Sequence, residues 1–417
     1  MNVSAYSPKV GMKMRAHTEI HPNVRPEPIA ETSTPVLWRV LVPLCAMVFV
    51  EFLAMGLPLP VLPIRVHDAL GFGTFLVGLA IGAQSWATLL TRHAAGTRAD
   101  RRGPRGTAIL GLSISALAGV TYAISWAVPN PAASLAVLLL GRGLLGLGES
   151  LVITSALAWG ISLAGRERSG VVMAWVGIAM YGAFAVGAPL GSALDAHLGF
   201  VGLSIAAALA PLLGIGAAFL LRPVAPTGGV RLPFSAVAKL IWFPGAGLAL
   251  SALGFGAIAA FATLFFGENA WPYASLAMAA FGAAYVLARL LFGRLPDRFG
   301  GARVAMVSAS VAAVGQLGMW MATTGEMAVA AAFLTGLGFS LAFPAFGVEA
   351  IRRVPPQNRG VALGAYTAFF DLALGVGVPA LGTIVAISGY RAAFAVGAVT
   401  ALASLVVAFV LGSQKRP

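Results

Sequence analysis

Three carboxylates interrupt otherwise apolar runs: Glu51 in "VFVEFLAMG", Glu149 in "GLGESLVIT" and Asp371 in "TAFFDLALG". Arg142 is the one basic residue so placed, seven positions before Glu149. If these runs lie in lipid, each charge costs about 2.5–3.5 kcal/mol at mid-depth and must face a polar cavity or a partner. Desolvation disfavours the charged form of a carboxylate, and a nearby guanidinium favours it. Moving the Arg, or displacing it with a bound solute, therefore changes proton affinity, which is the chemistry of proton coupling. Asp371 is the first candidate carrier, since no basic residue lies near it in sequence. Glu149 with Arg142 comes second and Glu51 third. Seven residues are two helical turns, about 10 Å along the axis, so Arg142 and Glu149 can line one cavity without bonding directly. The alternative is a static ion pair that fixes helix register.

The elements that must hold these groups follow from composition. Hydrophobic residues make up 59% of the 417 and charged residues 10%, with a mean hydropathy of +0.89. A soluble domain carries about 25% charged residues to clothe its surface, so this chain must dissolve in lipid. The 51 glycines suit close approach of membrane helices. A β-barrel would need short alternating segments, whereas these runs are continuous. The single cysteine, Cys45, excludes an internal disulfide or thiolate metal site, and no metal site or cofactor is expected.

A span needs about 20 apolar residues to cross about 30 Å of hydrocarbon. Twelve are predicted, near 37–60, 73–95, 106–128, 133–161, 170–195, 200–222, 239–266, 273–294, 303–323, 327–351, 360–387 and 391–412. If the N-terminus is cytoplasmic, all of the 27 basic residues but Arg65, Arg391 and the intramembrane Arg142 fall on the inner side, as the positive-inside rule requires. Both termini are then inside. The net charge of +13 is this topogenic signal facing an anionic leaflet, not a nucleic-acid surface. Residues 1–36 read as a disordered cytoplasmic tail with no cleavable signal. Residues 37–222 form one six-helix unit, 223–238 a cytoplasmic linker, 239–413 a second six-helix unit, and 414–417 a short tail.

The chain is written twice. "AGTRADRRGPRG" (95–106) places Gly96, Asp100, Arg101, Gly103 and Arg105 between spans 2 and 3. "FGRLPDRFGGAR" (292–303) places Gly293, Asp297, Arg298, Gly300 and Arg303 between spans 8 and 9. Arg92 precedes Asp100 by eight residues, as Arg289 precedes Asp297. "GLGES" at 146–150 matches "GLGFS" at 336–340, and "GAP" at 187–189 matches "GVP" at 377–379. The offset is 197 at the loops and 190 afterwards, so Tyr181 and Asp371 occupy equivalent places. Parallel repeats joined by a linker are a transporter architecture.

These residues resemble the major facilitator superfamily: the loops match its G-x-x-x-D-[RK]-x-G-[RK] signature, and "GRGLLGLGES" (141–150) is similar to its fourth-span motif. "GLPLPVLP" (56–63) and "FPAFGV" (343–348) look like the YhhS/YfcJ-type branch of bacterial inner-membrane transporters. The resemblance implies an all-α membrane protein of twelve transmembrane helices in two pseudo-symmetric six-helix bundles. It implies that each loop Asp latches onto a helix N-terminus of the other bundle, where about half a positive charge resides. Asp100 would face the start of span 11 near Gly360, and Asp297 the start of span 5 near Gly170. "GAFAVGAPLG" (182–191) resembles the fifth-span signature of exporter-type antiporters, with Ala188 inserted between Gly187 and Pro189. Gly182, Gly187, Pro189 and Gly191 are then a helix-packing motif.

Gln84, Tyr181, Tyr285 and Tyr366 are candidate cavity residues, with Trp86, Trp159, Trp175, Gln316 and Phe370 as further polar or aromatic linings. No nucleophile–base arrangement assembles, so an enzyme is the least expected class. The expectation is a monomeric bacterial inner-membrane transporter whose partners are a small solute, protons and lipid, with no nucleic acid. It exports a drug, sugar or metabolite by proton antiport. Proton-coupled uptake and a non-transporting membrane sensor are the alternatives.

Overall fold

The computed structural model describes residues 34–165, 168–225, 234–355 and 359–414. The N-terminal tail to residue 33, the middle of the linker with Arg231, and the last three residues lie outside the described residues. Helix α1 spans Thr34–Gly56, α2 Thr74–Arg102, α3 Pro104–Ala127 and α4 Pro131–Ala164. Ser169–Leu220 runs on for 52 residues, but Gly199 at φ 66 breaks it into α5 and α6. Only glycine takes that left-handed backbone cheaply, and the break turns one continuous helix into two crossings. Helix α7 spans Phe234–Glu268, starting inside the segment read as linker. It is followed by α8 Ser275–Phe292, α9 Gly301–Met321 and α10 Gly325–Ile351. Helix α11 begins as Arg359–Leu372, widens into a π turn at Ala373–Gly377 and resumes as Val378–Ser388. Helix α12 is Tyr390–Ser413. Eleven described helices are long and apolar enough to cross a membrane. With the one broken at Gly199 counted twice, the crossings number twelve.

Local chemistry explains several boundaries. Asn130 caps α4 by accepting from the Ala133 N–H, with Pro131 at the first helical position where its missing donor costs nothing. Thr324 caps α10 in the same way through Met327. Gly103 and Gly300 both adopt positive φ, 83° and 90°, at the turn into the third helix of each half. Pro379 cannot donate to the Gly375 carbonyl, and the helix ahead of it widens into the π turn just after Asp371.

The doubling seen in the sequence is also a doubling of contacts. A Cβ on Gly146 of α4 would strike the Gln84 carbonyl of α2, and one on Gly336 of α10 would strike the Phe281 carbonyl of α8. Gly148 packs on Gly111 and Ser115, and Gly338 on Ser308 and Ala312. Each pair is related by the same offsets of 197 and 190. Within the first half, Gly187 and Gly191 of α5, two of the four residues of the predicted packing motif, rest on the Gly56–Leu57 backbone at the end of α1. Gly182 faces both Val286 of α8 and Phe49 of α1.

The halves meet along α2 against α11 and α5 against α8. At the end opposite the basic loops, the Thr74 hydroxyl donates to the Gly382 carbonyl at 2.7 Å. Gly78 and Gly82 lie on the backbone of Leu374, Gly375, Val378 and Pro379. The bundles are pressed shut there.

Candidate functional site

Gln84, Thr88 and Arg92 succeed one another at four-residue spacing on α2 and so share one face. The glycine at 146 lets α4 close onto that face, and Glu149, three residues on, meets it. One Glu149 carboxylate oxygen accepts from Gln84 Nε2 at 2.9 Å and from Thr88 Oγ1 at 3.1 Å. A turn further along, Arg92 reaches across to α11 and donates through Nε and Nη2 to one oxygen of Asp371, at 2.9 and 2.6 Å. The Asp371 side chain is 3% exposed and that of Arg92 11%. This buried ion pair joins the two halves.

The other predicted groups are distributed differently. Arg142 does not pair with Glu149; it turns to α2 and donates to the carbonyls of Ala80 and Ile81 at 2.8 and 3.0 Å. Glu51 lies fully buried within the first half, where the Ser115 hydroxyl donates to it at 2.5 Å. Tyr366 donates to the Phe343 carbonyl at 2.7 Å and packs inside the second half, in a cluster that Phe370 joins and within electrostatic reach of Tyr285 and Arg289. Gln316 likewise bonds within that half, to Gly254 and Thr335. Trp159 ties α4 to the Arg222 carbonyl.

Tyr181 and Tyr285 do meet. Their rings stack across the α5–α8 junction with centroids 3.7 Å apart and planes 21° off parallel. Phe184, Phe255, Phe281 and Phe339 surround Tyr181 at 5.6–6.2 Å, and Phe370 joins through Phe255 and Phe339. At the edge of this cluster Arg289 donates to the Tyr285 hydroxyl at 2.6 Å and to the Ser340 carbonyl at 2.9 Å.

Arg92 and Arg289 are the residues that sequence reasoning placed wrongly. Both were expected among the loop-flanking cations, yet both are buried or nearly so and face the junction. The signal was present: each stands eight residues before a loop Asp and ends a run of junction-facing residues at four-residue spacing. Thr88 and Ser115, which hold two of the acids, carried no such signal.

Of the loop residues, Gly96, Asp100 and Arg101 lie within the last turns of α2, and Asp297 and Arg298 within a short helix, Leu295–Phe299. Arg105 sits 4.5 Å from the Phe219 ring centroid. The loop before α11, beside which Asp100 was expected to latch, includes residues 356–358 outside the described residues. Among the described residues, no group of three or more potential metal ligands forms. A hollow of about 610 Å3 at the ends of α8 and α10 opposite the basic loops, lined by Tyr273, Leu276 and Phe333, touches none of the residues above.

Twelve helices in two repeated halves that meet along an ion pair and a ring stack are an architecture of membrane transporters. The sequence profile of the Major Facilitator Superfamily matches residues 44–271 and, a second time, 245–417. An uncharacterized MFS-type transporter of Salmonella typhimurium is 41% identical over 370 residues, 88% of this chain and 95% of that one. One from Burkholderia mallei is 42% identical over 377 residues, 89% and 91% of the two chains. The chain belongs to the Major Facilitator Superfamily and is a multi-pass membrane transporter. In fold it is similar to the nucleoside transporter NupG, in a mutant form, with a TM-score of 0.70 at 18% identity over 90% of this chain and 99% of that one. It is also similar to the human organic anion transporter MFSD10, with a TM-score of 0.65 at 16% identity over 89% and 99%.

Proposed function

We propose that this protein is a proton-coupled exporter of a small organic solute, working by alternating access in a bacterial inner membrane with both termini in the cytoplasm. The observation that carries the reading is the Arg92–Asp371 pair, whose partners belong to different halves. Rocking that opens the basic end must part them. A carboxylate stripped of its counter-charge in a dry interior is neutralised by a proton more cheaply than it is kept bare. Asp371 is thus the carrier, Arg92 its displaceable partner, and Glu149, one turn away, the second acid of the route. Arg142 holds α4 against α2, and Glu51 is set back in the first half. The doubled loops, with Asp100 and Asp297, latch the cytoplasmic side. The packing of Gly187 and Gly191 on α1, in a segment similar to the exporter signature, supports export.

Everted membrane vesicles from an overexpressing strain, loaded with a pH-gradient dye, test this reading. With a panel of toxic solutes, metabolites and sugars added outside, wild-type vesicles should lose their gradient for at least one solute, and Asp371→Asn vesicles for none. Dissipation only when the solute is preloaded in the lumen would establish symport instead.

A further inference from the structure

The two arginines at the junction are equivalent by the repeat, since 289 minus 92 is 197, but their surroundings are not. Arg92 has Asp371. The position equivalent to Asp371 in the first half, 190 residues earlier, is Tyr181. Where Arg92 has a carboxylate, Arg289 has a tyrosine at the equivalent place, and its guanidinium lies 5.2 Å from the ring centroid of Tyr285. The Arg289 side chain is buried, its residue only 7% exposed. It hydrogen-bonds a neutral hydroxyl and a neutral carbonyl, and its Nε has no partner. Among the described residues no carboxylate lies within ion-pair distance of it. Glu349, the acid nearest in sequence on α10, is nine residues beyond Ser340, about 13 Å along the axis. There it is bonded to the Ala302 N–H and paired with Arg352 and Arg353.

A buried cation without a counter-charge is costly, and such a residue inside a membrane protein is a site by default. The seat in front of it is held by a glycine. Gly177 of α5 faces the Tyr285 hydroxyl and the Arg289 guanidinium, and a Cβ there would just meet them in ordinary contact, at 3.4 and 3.8 Å. Beside that seat lies the Tyr181–Tyr285 stack, whose rings come from opposite halves. When the halves part, the two ring faces part with them. The result is a flat, apolar slot ending at an uncompensated guanidinium.

We propose that the transported solute is an organic anion with a flat aromatic body: its carboxylate pairs with Arg289, and its ring enters between Tyr181 and Tyr285. The ligand thus supplies the counter-charge that the second arginine lacks. This rests on the transport reading but not on the proton route, and the two are separable because binding needs no gradient.

The test is ligand-induced thermal stabilisation and calorimetry on the full-length protein in detergent. The probes are benzoate, 1-naphthoate and indole-3-acetate, with 1-naphthamide and 1-naphthylmethylamine as neutral and cationic counterparts. At least one anion should bind more tightly than its neutral counterpart. Arg289→Gln should weaken that anion about tenfold or more, as loss of a charged hydrogen bond implies, while Arg289→Lys retains part of the affinity. Gly177→Val, which fills the seat and leaves the arginine in place, should weaken it as well and guards against misfolding of the first variant. Asp371→Asn should still bind the anion even where it has lost proton coupling. The proposal is overturned if no anion binds, if the amine binds more tightly than the acid, or if Gly177→Val and Arg289→Gln both fold and bind as the wild type does.

Discussion

The junction holds the same five places twice. In the first set they are Gln84, Thr88, Arg92 and Glu149 with Asp371 from the other half; in the second they are Phe281, Tyr285, Arg289 and Phe339 with Tyr181 from the other half. The arginine is kept in both, and a hydroxyl is kept one turn before it. Everything else has changed from ionisable or amide to aromatic. The backbone explains how this is possible. The glycines at 146 and 336 bring the fourth helix of each half onto the same turn of its second helix, so the scaffold fixes where side chains meet and leaves their chemistry free. One copy neutralises its cation from within the protein and the other sets its cation at the edge of a ring cluster. A duplicated fold has in this way divided charge compensation from the making of an apolar slot.

The largest expected effect comes from breaking the compensated copy. Asp371→Ala leaves Arg92 buried and unpaired, a change that costs about 3–5 kcal/mol when one member of a buried pair is removed. The apparent Tm in detergent should fall accordingly, and transport should stop. The double variant Arg92→Met/Asp371→Leu removes both charges and should regain most of the stability while remaining inactive. Equal stability of Asp371→Ala and wild type would mean that the two copies do not differ in charge compensation.

Transplanting the acid tests the other copy. Tyr181→Asp places a carboxylate opposite Arg289 at the position equivalent to Asp371. It forfeits the stack, about 0.5–1.5 kcal/mol beyond its buried area, and offers an internal partner in exchange. Binding of aromatic carboxylates should be lost, whereas Tyr181→Phe, which keeps the ring, should bind them within about threefold, less than 1 kcal/mol by the usual conversion. If Tyr181→Asp still binds them, the ligand does not occupy that place.

A smaller effect is expected at Glu149. Glutamine can still accept from Gln84 and Thr88 through its carbonyl oxygen, so Glu149→Gln should change stability by less than about 1 kcal/mol. Glu149→Ala strands the Gln84 amide, while the Thr88 hydroxyl keeps the Gln84 and Gly146 carbonyls as acceptors, and should cost about 1–3 kcal/mol. Transport by Glu149→Gln at several external pH values then reports on the proton route alone.

Much of this comparison was legible in the sequence, and what was not has physical reasons. The twelve crossings follow from hydropathy, the halves from matching motifs, and the burial of Glu51, Glu149 and Asp371 from the cost of a charge in lipid. Tyr181 and Tyr285 were named as cavity residues and do meet. The partners were the difficult part. Asp371 has no base near it in sequence because its base arrives from the other half, 279 residues away. Arg92 and Arg289 resemble topogenic loop residues because they precede a basic turn, yet α2 continues to Arg102 and carries Arg92 ten residues inside the helix. Arg142 was expected to line one cavity with Glu149 because both share a face, but its guanidinium donates to the carbonyls of Ala80 and Ile81, which no residue pattern encodes, and leaves its Nη1 without a partner.

The least effect is expected at Glu51, the buried acid that belongs to neither copy. Its carboxylate lies between α1 and α3 inside the first half, accepting from Ser115 through one oxygen while the other has no partner. Glutamine can present its carbonyl oxygen to the Ser115 hydroxyl, and its amide then stands where nothing was bonded before. Stability should therefore shift by less than about 1 kcal/mol, and transport should stay within about twofold of wild type. Ser115→Ala, by contrast, removes the one hydrogen-bond donor that Glu51 has among the described residues and should destabilise by about 1–3 kcal/mol. A folded Glu51→Gln protein that no longer transports would extend the proton route from the junction into the core of the first half. The contrast between the two arginines would then be only part of the coupling.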